Sequence, residues 1–228
     1  MEKALVITGG DVSSHQLRSF YECYNLTNDT SEKLFIIGVD GGCAYCKETG
    51  IPLDLILGDF DTLDSKTKLY YQRNNVKTIE LDPIKDKTDT HAAFDYIKEK
   101  DFESVFIFGG TGTRLDHSLA NLMISFSYCE TIDFVFIDAH NYIKPVVGPA
   151  TIKNDCFPNE FDEFKYLSIL PIEETIVSAT KGLKYNIQNK NLKPFDSLGI
   201  SNEITADGKN DFEICIESGR CLVIKSRD

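Results

Sequence analysis

The sequence has no apolar run that approaches the ~18–20 residues of a membrane-spanning helix. It also has little positive charge: 24 Lys and Arg stand against 36 Asp and Glu, which gives a net charge of −12. So acidic a chain repels nucleic-acid phosphates and anionic lipid headgroups. The composition therefore predicts neither a nucleic-acid nor a membrane partner. A phosphorylated ligand remains compatible with it where metal ions act as intermediaries.

The seven cysteines lack the spacing of a structural zinc site. Cys43 and Cys46 form one C-x-x-C pair, but no second pair and no suitably spaced histidines accompany it. Residues 1–10 contain a short apolar stretch followed by glycines, which predicts a first strand rather than a signal peptide. We therefore expect free thiols in a protein of the reducing cytoplasm.

Residues 1–140 alternate nearly continuous apolar runs with amphipathic stretches, as mainly parallel α/β sheets do. The clearest helix is predicted over Thr90–Lys100, and another begins near Asp116. This part of the chain predicts a Rossmann-like domain with helices on both faces of the sheet. Its strands are predicted at Ala4–Thr8, Leu34–Val39, Leu53–Leu57, Val76–Leu81, Ser104–Phe108 and Phe134–Ile137.

Residues 141–228 have a different pattern, in which helical periodicity gives way to short alternating runs. In Phe212–Glu217 apolar and polar residues alternate, so one face of this strand is expected to be buried and the other exposed to solvent. Ser218-Gly219-Arg220 after it is a turn signal. The region predicts a small antiparallel β-sandwich domain with strands at Tyr166–Leu170, Thr175–Ala179, Phe212–Glu217 and Cys221–Lys225.

Aspartates follow several predicted strands of the first domain at their carboxyl ends, or precede its helices. Ligands of open α/β sheets bind at that edge, so these side chains are expected to converge there. Carboxylates a few Å apart repel by several kcal/mol at an effective dielectric of about 20, and a cation relieves that repulsion. Oxygen ligands of this kind suit Mg²⁺, although any single aspartate also fits a helix cap or a turn. The residues are Asp40, Asp59, Asp61, Asp86, Asp89 and Asp116.

A glycine-rich loop, Gly109-Gly110-Thr111-Gly112-Thr113-Arg114, follows the strand predicted at Ser104–Phe108. Its glycines allow backbone N–H groups to approach a phosphate at a helix N-terminus, although its spacing is neither that of a Walker A loop nor that of a dinucleotide fingerprint. Arg114 is suited to bind a phosphate, or alternatively to pair with Asp116. His117 fits a cap or a phosphate neighbour. No nucleophile elbow with Ser, His and Asp is visible, which argues against acyl transfer.

Together these motifs resemble the thiamine pyrophosphokinase family. Six segments match in the family's order and extend over most of the chain, whereas Asn141–Lys165 matches no family motif. Thr62 stands where the family usually has Ser, and it keeps the hydroxyl. The matching segments are Asp40–Gly42, Gly58–Thr62, Lys85–Asp89, Gly109–His117, Lys181–Tyr185 and Gly199–Glu203.

The resemblance implies an enzyme that moves the β,γ-pyrophosphoryl group of ATP to the hydroxyl of thiamine, which gives thiamine diphosphate and AMP. It implies a nucleotide- and Mg²⁺-binding catalytic domain over residues 1–140. It also implies a thiamine-binding and dimerisation domain over residues 141–228. The expected assembly is a homodimer with thiamine bound where the subunits meet.

The resemblance also implies roles for single residues. Catalysis is expected of Asp59, Asp61 and Asp89, and the sequence does not choose between Asp61 and Asp89 as the proton acceptor. Mg²⁺ is expected on Asp59, Asp61, Asp86 and Asp89, with Asp40 beside them. The thiamine site is expected to contain Tyr185, stacked on the ring, with Ser201 and Asn202. The ATP phosphates are expected near Asp40, Gly41, Gly110, Thr111, Gly112, Arg114, Asp116 and His117.

Three alternatives remain open at this point. A related pyrophosphokinase would act on another alcohol such as a pterin, but Lys181–Tyr185 and Ser201–Glu203 favour thiamine. A non-catalytic sensor of thiamine diphosphate or nucleotide would have no need of the full carboxylate set. A Mg²⁺-dependent phosphatase would form no AMP.

Overall fold

The computed structural model describes residues 3–27, 33–61, 63–84, 86–112, 114–158, 164–206 and 211–228. The chain divides into two compact units, Met1–Ala139 and His140–Asp228. None of the helices within the described ranges is long and apolar enough to cross a membrane. The motif residues Thr62, Lys85 and Thr113 lie outside the described residues.

The first unit contains a parallel sheet whose six strands have the order β6-β5-β1-β2-β3-β4. The inner strands are apolar and buried because helices cover such sheets. The edge strand β4 is polar and mostly exposed, which protects a sheet edge from further pairing. The bounds are β1 Lys3–Ile7, β2 Phe35–Val39, β3 Leu55–Gly58, β4 Lys77–Glu80, β5 Ser104–Phe108 and β6 Asp133–Ile137.

Five helices accompany this sheet within the described residues, and local chemistry sets where two of them begin. The Thr88 hydroxyl accepts a hydrogen bond from the backbone N–H of His91 and so caps α4. The Asp64 carboxylate caps α3 in the same way through the N–H groups of Lys66 and Thr67. The bounds are α1 Ser14–Thr27, α2 Gly42–Thr49, α3 Ser65–Arg73, α4 Asp89–Glu99 and α5 Leu115–Ser125.

The strand order of the first unit reverses at β1. From β1 the chain adds β2, β3 and β4 on one side, and it then returns to add β5 and β6 on the other. The loops that follow β1 and β5 therefore leave in opposite directions at the carboxyl ends of the strands. Such a switch point opens a crevice, and ligands of open α/β sheets bind there.

The second unit consists of antiparallel strands in the orders β12-β9-β14-β7 and β11-β10-β13-β8. A short 3₁₀ helix, Asn154–Cys156, follows β8. The bounds are β7 Asn141–Val147, β8 Ala150–Lys153, β9 Tyr166–Pro171, β10 Thr175–Lys181, β11 Gln188–Leu192, β12 Asn202–Glu203, β13 Glu213–Ser218 and β14 Arg220–Ser226.

The turn predicted at residues 218–220 is present, and it connects two sheets. Gly219 has a φ of 94°, and a Cβ there would lie 2.3 Å from the carbonyl oxygen of Glu174. β13 pairs with β10 and β8, whereas β14 pairs with β7 and β9. The predicted alternation is also present, because Phe212, Ile214 and Ile216 are buried.

All seven cysteines are free thiols in the structure. Cys43 and Cys46, the C-x-x-C pair, are both buried in α2. Burial raises the pKa of the Cys43 thiol to about 12, so this sulfur stays protonated near neutral pH. The pair therefore behaves as part of the apolar core.

Candidate functional site

A cavity of about 340 Å³ lies in the crevice at the carboxyl ends of β1, β2 and β5. Its volume is within the range of small-molecule sites. Glycines, hydroxyls and charged groups dominate the lining, which suits phosphate groups better than an apolar ring. The lining residues are Thr8, Gly9, Gly10, Val39, Asp40, Gly41, Thr88, Asp89, Thr90, Gly109, Gly110, Thr111, Gly112, Arg114, His117, Ser118 and Asn121.

Three carboxylates converge at this crevice. Asp40 follows β2, Asp59 follows β3, and Asp89 is the first residue of α4. One carboxylate oxygen of each lies within 4.8 Å of the others, and all three residues are half-buried. Three anionic oxygens from separate loops form the donor set that Mg²⁺ takes in proteins, so the residues present fit that ion.

The backbone around Asp40 is built for this approach. Asp40 has a φ of 43° and Phe60 a φ of 60°, a left-handed conformation that non-glycine residues adopt mostly at constrained, functional positions. A Cβ at Gly58 would lie only 1.7 Å from Oδ1 of Asp40. The backbone N–H of Phe60 donates to that same oxygen at 3.4 Å. Only glycine at position 58 lets the Asp40 carboxylate lie over the end of β3.

The electrostatics of Asp40 indicate a site that needs positive charge. Burial, the hydrogen bond to Asp89 and the charges of Asp89 and Asp59 together raise the pKa of Asp40 to about 7. In the absence of a cation, the Asp40 carboxyl is therefore partly protonated near neutral pH. A divalent cation between the carboxylates would replace that proton.

Two further aspartates predicted for the metal lie elsewhere. Asp61 and Asp86 are exposed, and neither belongs to the carboxylate group found among the described residues. The backbone N–H of Asp61 donates to Oδ1 of Asp59 at 3.2 Å, so this residue shapes the turn that presents Asp59. Metal binding by Asp61 and Asp86 stays a prediction, as does the catalytic role of Asp61.

The glycine-rich loop is held by side chains from neighbouring elements. The Thr8 hydroxyl donates to the carbonyl of Gly109 at 2.5 Å, and the Asn121 amide donates to that of Gly110 at 2.8 Å. The N–H of Gly112 donates to Oγ of Ser118 at 3.0 Å. The backbone N–H groups of Gly110 and Thr111 make no hydrogen bond to any described residue. Those two donors are available to a phosphate.

The sequence interpretation missed several lining positions, among them Thr8, Gly10, Ser118 and Asn121. A Cβ at Gly10 would lie 2.1 Å from the carbonyl oxygen of Gly109, so only glycine lets the β1 and β5 loops touch. The glycine pair directly after the first predicted strand was the available signal for the β1 loop. For Ser118 and Asn121, their spacing on the face of α5 next to the loop was the only signal.

Arg114 and Asp116 form an ion pair at the cavity. Nη2 of Arg114 lies 2.7 Å from Oδ2 of Asp116, and both side chains are mostly exposed. Arg114 lowers the pKa of Asp116 to about 2. Arg114 and His117 line the cavity, while Asp116 is not among its lining residues. Exposed pairs contribute little free energy, so Arg114 is able to exchange Asp116 for a phosphate at small cost.

The predicted thiamine residues lie together in the second unit. The Asn202 amide accepts the N–H of Tyr185 at 3.1 Å and donates to the carbonyl of Tyr185 at 2.7 Å. Ser201 has a φ of 57°, and its N–H donates to Oγ of Ser168 at 2.9 Å. Tyr185 is 64% exposed, and Nζ of Lys184 lies over its ring at 5.6 Å from the centroid. Asn202 is buried, and its amide holds the Tyr185 backbone.

Two family models match the chain. Residues 26–136 match the thiamin pyrophosphokinase catalytic domain, and residues 156–219 match the thiamin pyrophosphokinase vitamin B1 binding domain. The thiamine pyrophosphokinase of Bacillus subtilis is 31% identical over 207 residues, which cover 90% of this chain and 92% of that protein. The chain belongs to the thiamine pyrophosphokinase family. It is thereby an enzyme, as the sequence predicts.

Other relatives agree with this assignment. Thiamin pyrophosphokinase 1 of Caenorhabditis elegans is 30% identical over 161 residues, which are 66% of this chain and 62% of that protein. The crystal structure of the Bacillus subtilis thiamine pyrophosphokinase superposes with a TM-score of 0.81 at 25% identity, and it covers all of both chains. The predicted fold class, a mainly parallel α/β sheet followed by an antiparallel β-rich region, is confirmed.

Proposed function

We propose that this protein transfers the β,γ-pyrophosphoryl group of ATP to the hydroxyl of thiamine, which forms thiamine diphosphate and AMP. The observation that carries the proposal is the group of Asp40, Asp59 and Asp89, two of which, Asp40 and Asp89, line a phosphate-suited cavity in a chain of this family. Transfer of a phosphoryl group depends mainly on in-line positioning and on neutralised phosphate charge. The cavity offers groups suited to both tasks.

The three carboxylates would hold Mg²⁺, which when bound neutralises phosphate charge and links the phosphates to the acidic site. The glycine-rich loop, with two free N–H groups, would bind phosphate oxygens. Arg114 would add a cation at the mouth of the cavity after leaving Asp116. Asp89, at the N-terminus of α4, is placed among the lining residues and is the better candidate of the predicted pair to accept the thiamine hydroxyl proton.

Thiamine would bind through the second unit. The exposed ring of Tyr185 is suited to stack on a flat, cationic heterocycle and to attract it through its π face. Asn202 would keep that ring in place, and Ser201 would contribute a hydroxyl beside it. We also propose the homodimer that the family resemblance implies, which size-exclusion chromatography with light scattering tests through the mass of the particle.

A chromatographic assay with ATP, Mg²⁺ and thiamine tests the reaction. AMP and thiamine diphosphate should form in equal amounts, and neither should form when thiamine is left out. ADP with thiamine monophosphate would contradict the proposal, because it indicates transfer of a single phosphoryl group. ATP consumption that does not depend on thiamine would indicate hydrolysis or another acceptor.

A further inference from the structure

The hydroxyl of Thr111, in the glycine-rich loop, is engaged with the protein. Its Oγ1 donates a hydrogen bond of 2.8 Å to Oδ2 of Asp138. A hydroxyl carries one proton, so this proton is not available to a phosphate oxygen while the bond is made. The backbone N–H of Thr111 makes no hydrogen bond to any described residue. Thr111 therefore offers a ligand its backbone, while its side chain fastens the loop.

Asp138 is itself held in place. It follows β6 directly, and its backbone carbonyl accepts a hydrogen bond of 2.9 Å from Nε2 of Gln16 on α1. Gln16 is only 4% exposed, so the fastening comes from the interior of the first unit. Hydrogen bonds to a carboxylate are roughly twice as strong as bonds between neutral groups. The Asp138 carboxylate is therefore held in a fixed position, and it forms a strong hydrogen bond with the Thr111 hydroxyl.

A carboxylate close to a phosphate-binding loop requires a physical reason, because its charge repels phosphates. Asp138 is not among the residues that line the cavity, whereas Thr111 is. We propose that Asp138 is a positioning residue for ATP: it holds the Thr111 hydroxyl and so keeps the loop in the shape that presents its free N–H groups to the phosphates. The proposal rests on the proposed function of the cavity.

The variants Asp138→Ala, Thr111→Val and their double test this role. Each single variant should raise the KM for ATP about tenfold and leave the KM for thiamine unchanged, because a hydrogen bond to a charged group is lost. The double variant should be no worse than either single one, since both remove the same link. Asp138→Asn keeps an oxygen acceptor and should restore ATP affinity to within about threefold.

Thr78→Val, on the exposed edge strand β4, is the matched control and should leave both KM values unchanged. Melting temperatures verify that each variant is folded. Additive losses, with Thr111→Val much the more damaging, would overturn the proposal because they would place the hydroxyl directly on a phosphate. An unchanged KM for ATP in folded Asp138→Ala would overturn it as well.

Calorimetric binding of α,β-methylene-ATP with Mg²⁺ separates this proposal from the proposed function. The analogue binds without transfer, so a weaker affinity in Asp138→Ala supports the positioning role whatever the acceptor is. Equal affinity of the wild type and Asp138→Ala for the analogue would contradict it. Failure of the wild type to form thiamine diphosphate would instead count against the proposed reaction alone.

Discussion

The two units hold their candidate ligand residues by different means. In the first unit two carboxylates directly follow the parallel strands β2 and β3 and the third begins α4, so the placement of several elements brings them together. In the second unit a single buried amide, Asn202, holds both backbone groups of the exposed Tyr185. The first arrangement depends on the whole sheet, whereas the second depends on one local contact. We therefore expect substitutions in the first unit to affect chemistry, and those in the second to affect thiamine affinity.

The two units also differ in net charge. Residues 1–139 contain 23 Asp and Glu against 13 Lys and Arg, whereas residues 140–228 contain 13 against 11. The negative charge of the chain is thus concentrated in the unit that contains the carboxylate group. Since this field repels phosphates, the first unit is the one whose ligand binding should depend on cations.

The largest expected effect comes from the carboxylate group. Asp59→Asn should lower kcat about 10²–10³-fold, because it removes a carboxylate proposed to hold the Mg²⁺ that neutralises the phosphate charge. Asp61→Asn should cost less, since that side chain is exposed and outside the group. Steady-state kinetics with both substrates measures this. Asp101→Asn, exposed after α4, is the matched control, and equal losses in all three variants would remove the distinction between the positions.

The next effect concerns the second unit. Asn202→Ala should lower the free energy of unfolding by about 1–3 kcal/mol, because it leaves the backbone groups of Tyr185 unpaired. Hydrogen exchange should increase in the second unit and remain unchanged in the first. Asn191→Ala, in the exposed strand β11, provides the control. Faster hydrogen exchange in both units would contradict a purely local role for the hydrogen bonds between Asn202 and the Tyr185 backbone.

A smaller effect is expected at the stacking ring. Tyr185→Ala should raise the KM for thiamine about 5- to 30-fold and leave the KM for ATP unchanged, because a cation–π contact contributes about 1–2 kcal/mol. Tyr185→Phe keeps the ring and should behave almost as the wild type. If Tyr185→Ala raised both KM values equally, Tyr185 would not belong to the thiamine site.

The smallest expected effect is a pH dependence of metal binding. The pKa of Asp40 is raised to about 7 in the folded protein from an ordinary value of 3.8, so the folded state binds this proton more tightly than the unfolded state. Without metal, stability contributed by this group therefore falls as pH rises from about 4 to about 7. Mg²⁺ has to displace the proton below pH 7, so its binding strengthens as pH rises.

Thermal melting with and without Mg²⁺ measures this dependence. The increase in Tm should be about 3–6 °C at pH 8 with Mg²⁺ at roughly ten times its Kd, and less at pH 6. Asp40→Asn has no such proton and should show a small, pH-independent increase. A larger increase at pH 6 than at pH 8 in the wild type would contradict the assignment of Asp40 to the cation.

Much of the first unit was predictable, because periodicity locates strands and parallel strands end at one edge. The approach of Asp40 and Asp59 follows from that rule, whereas Asp89 reaches them from the first residue of α4. Asp61 is exposed and outside that group, so its predicted place at the metal stays a prediction. Gly58 shows the limit of the pattern, because the sequence does not reveal that a Cβ there would meet Asp40.

Contacts between distant side chains were not predictable. The bond between Thr111 and Asp138 joins residues 27 apart, and that between Tyr185 and Asn202 joins residues 17 apart. No local pattern identifies such partners, because tertiary packing alone brings them together. The turn at Gly219 illustrates the same limit: local residues specify the turn but not which sheet the following strand joins.

The most direct test of the central claim uses ATP labelled with ³²P at the β-phosphate, together with Mg²⁺ and thiamine. If the pyrophosphoryl group moves as a unit, the label appears in thiamine diphosphate and the nucleotide product is unlabelled AMP. We predict that result for the wild type. Label retained in ADP, with unlabelled thiamine monophosphate, would contradict the account.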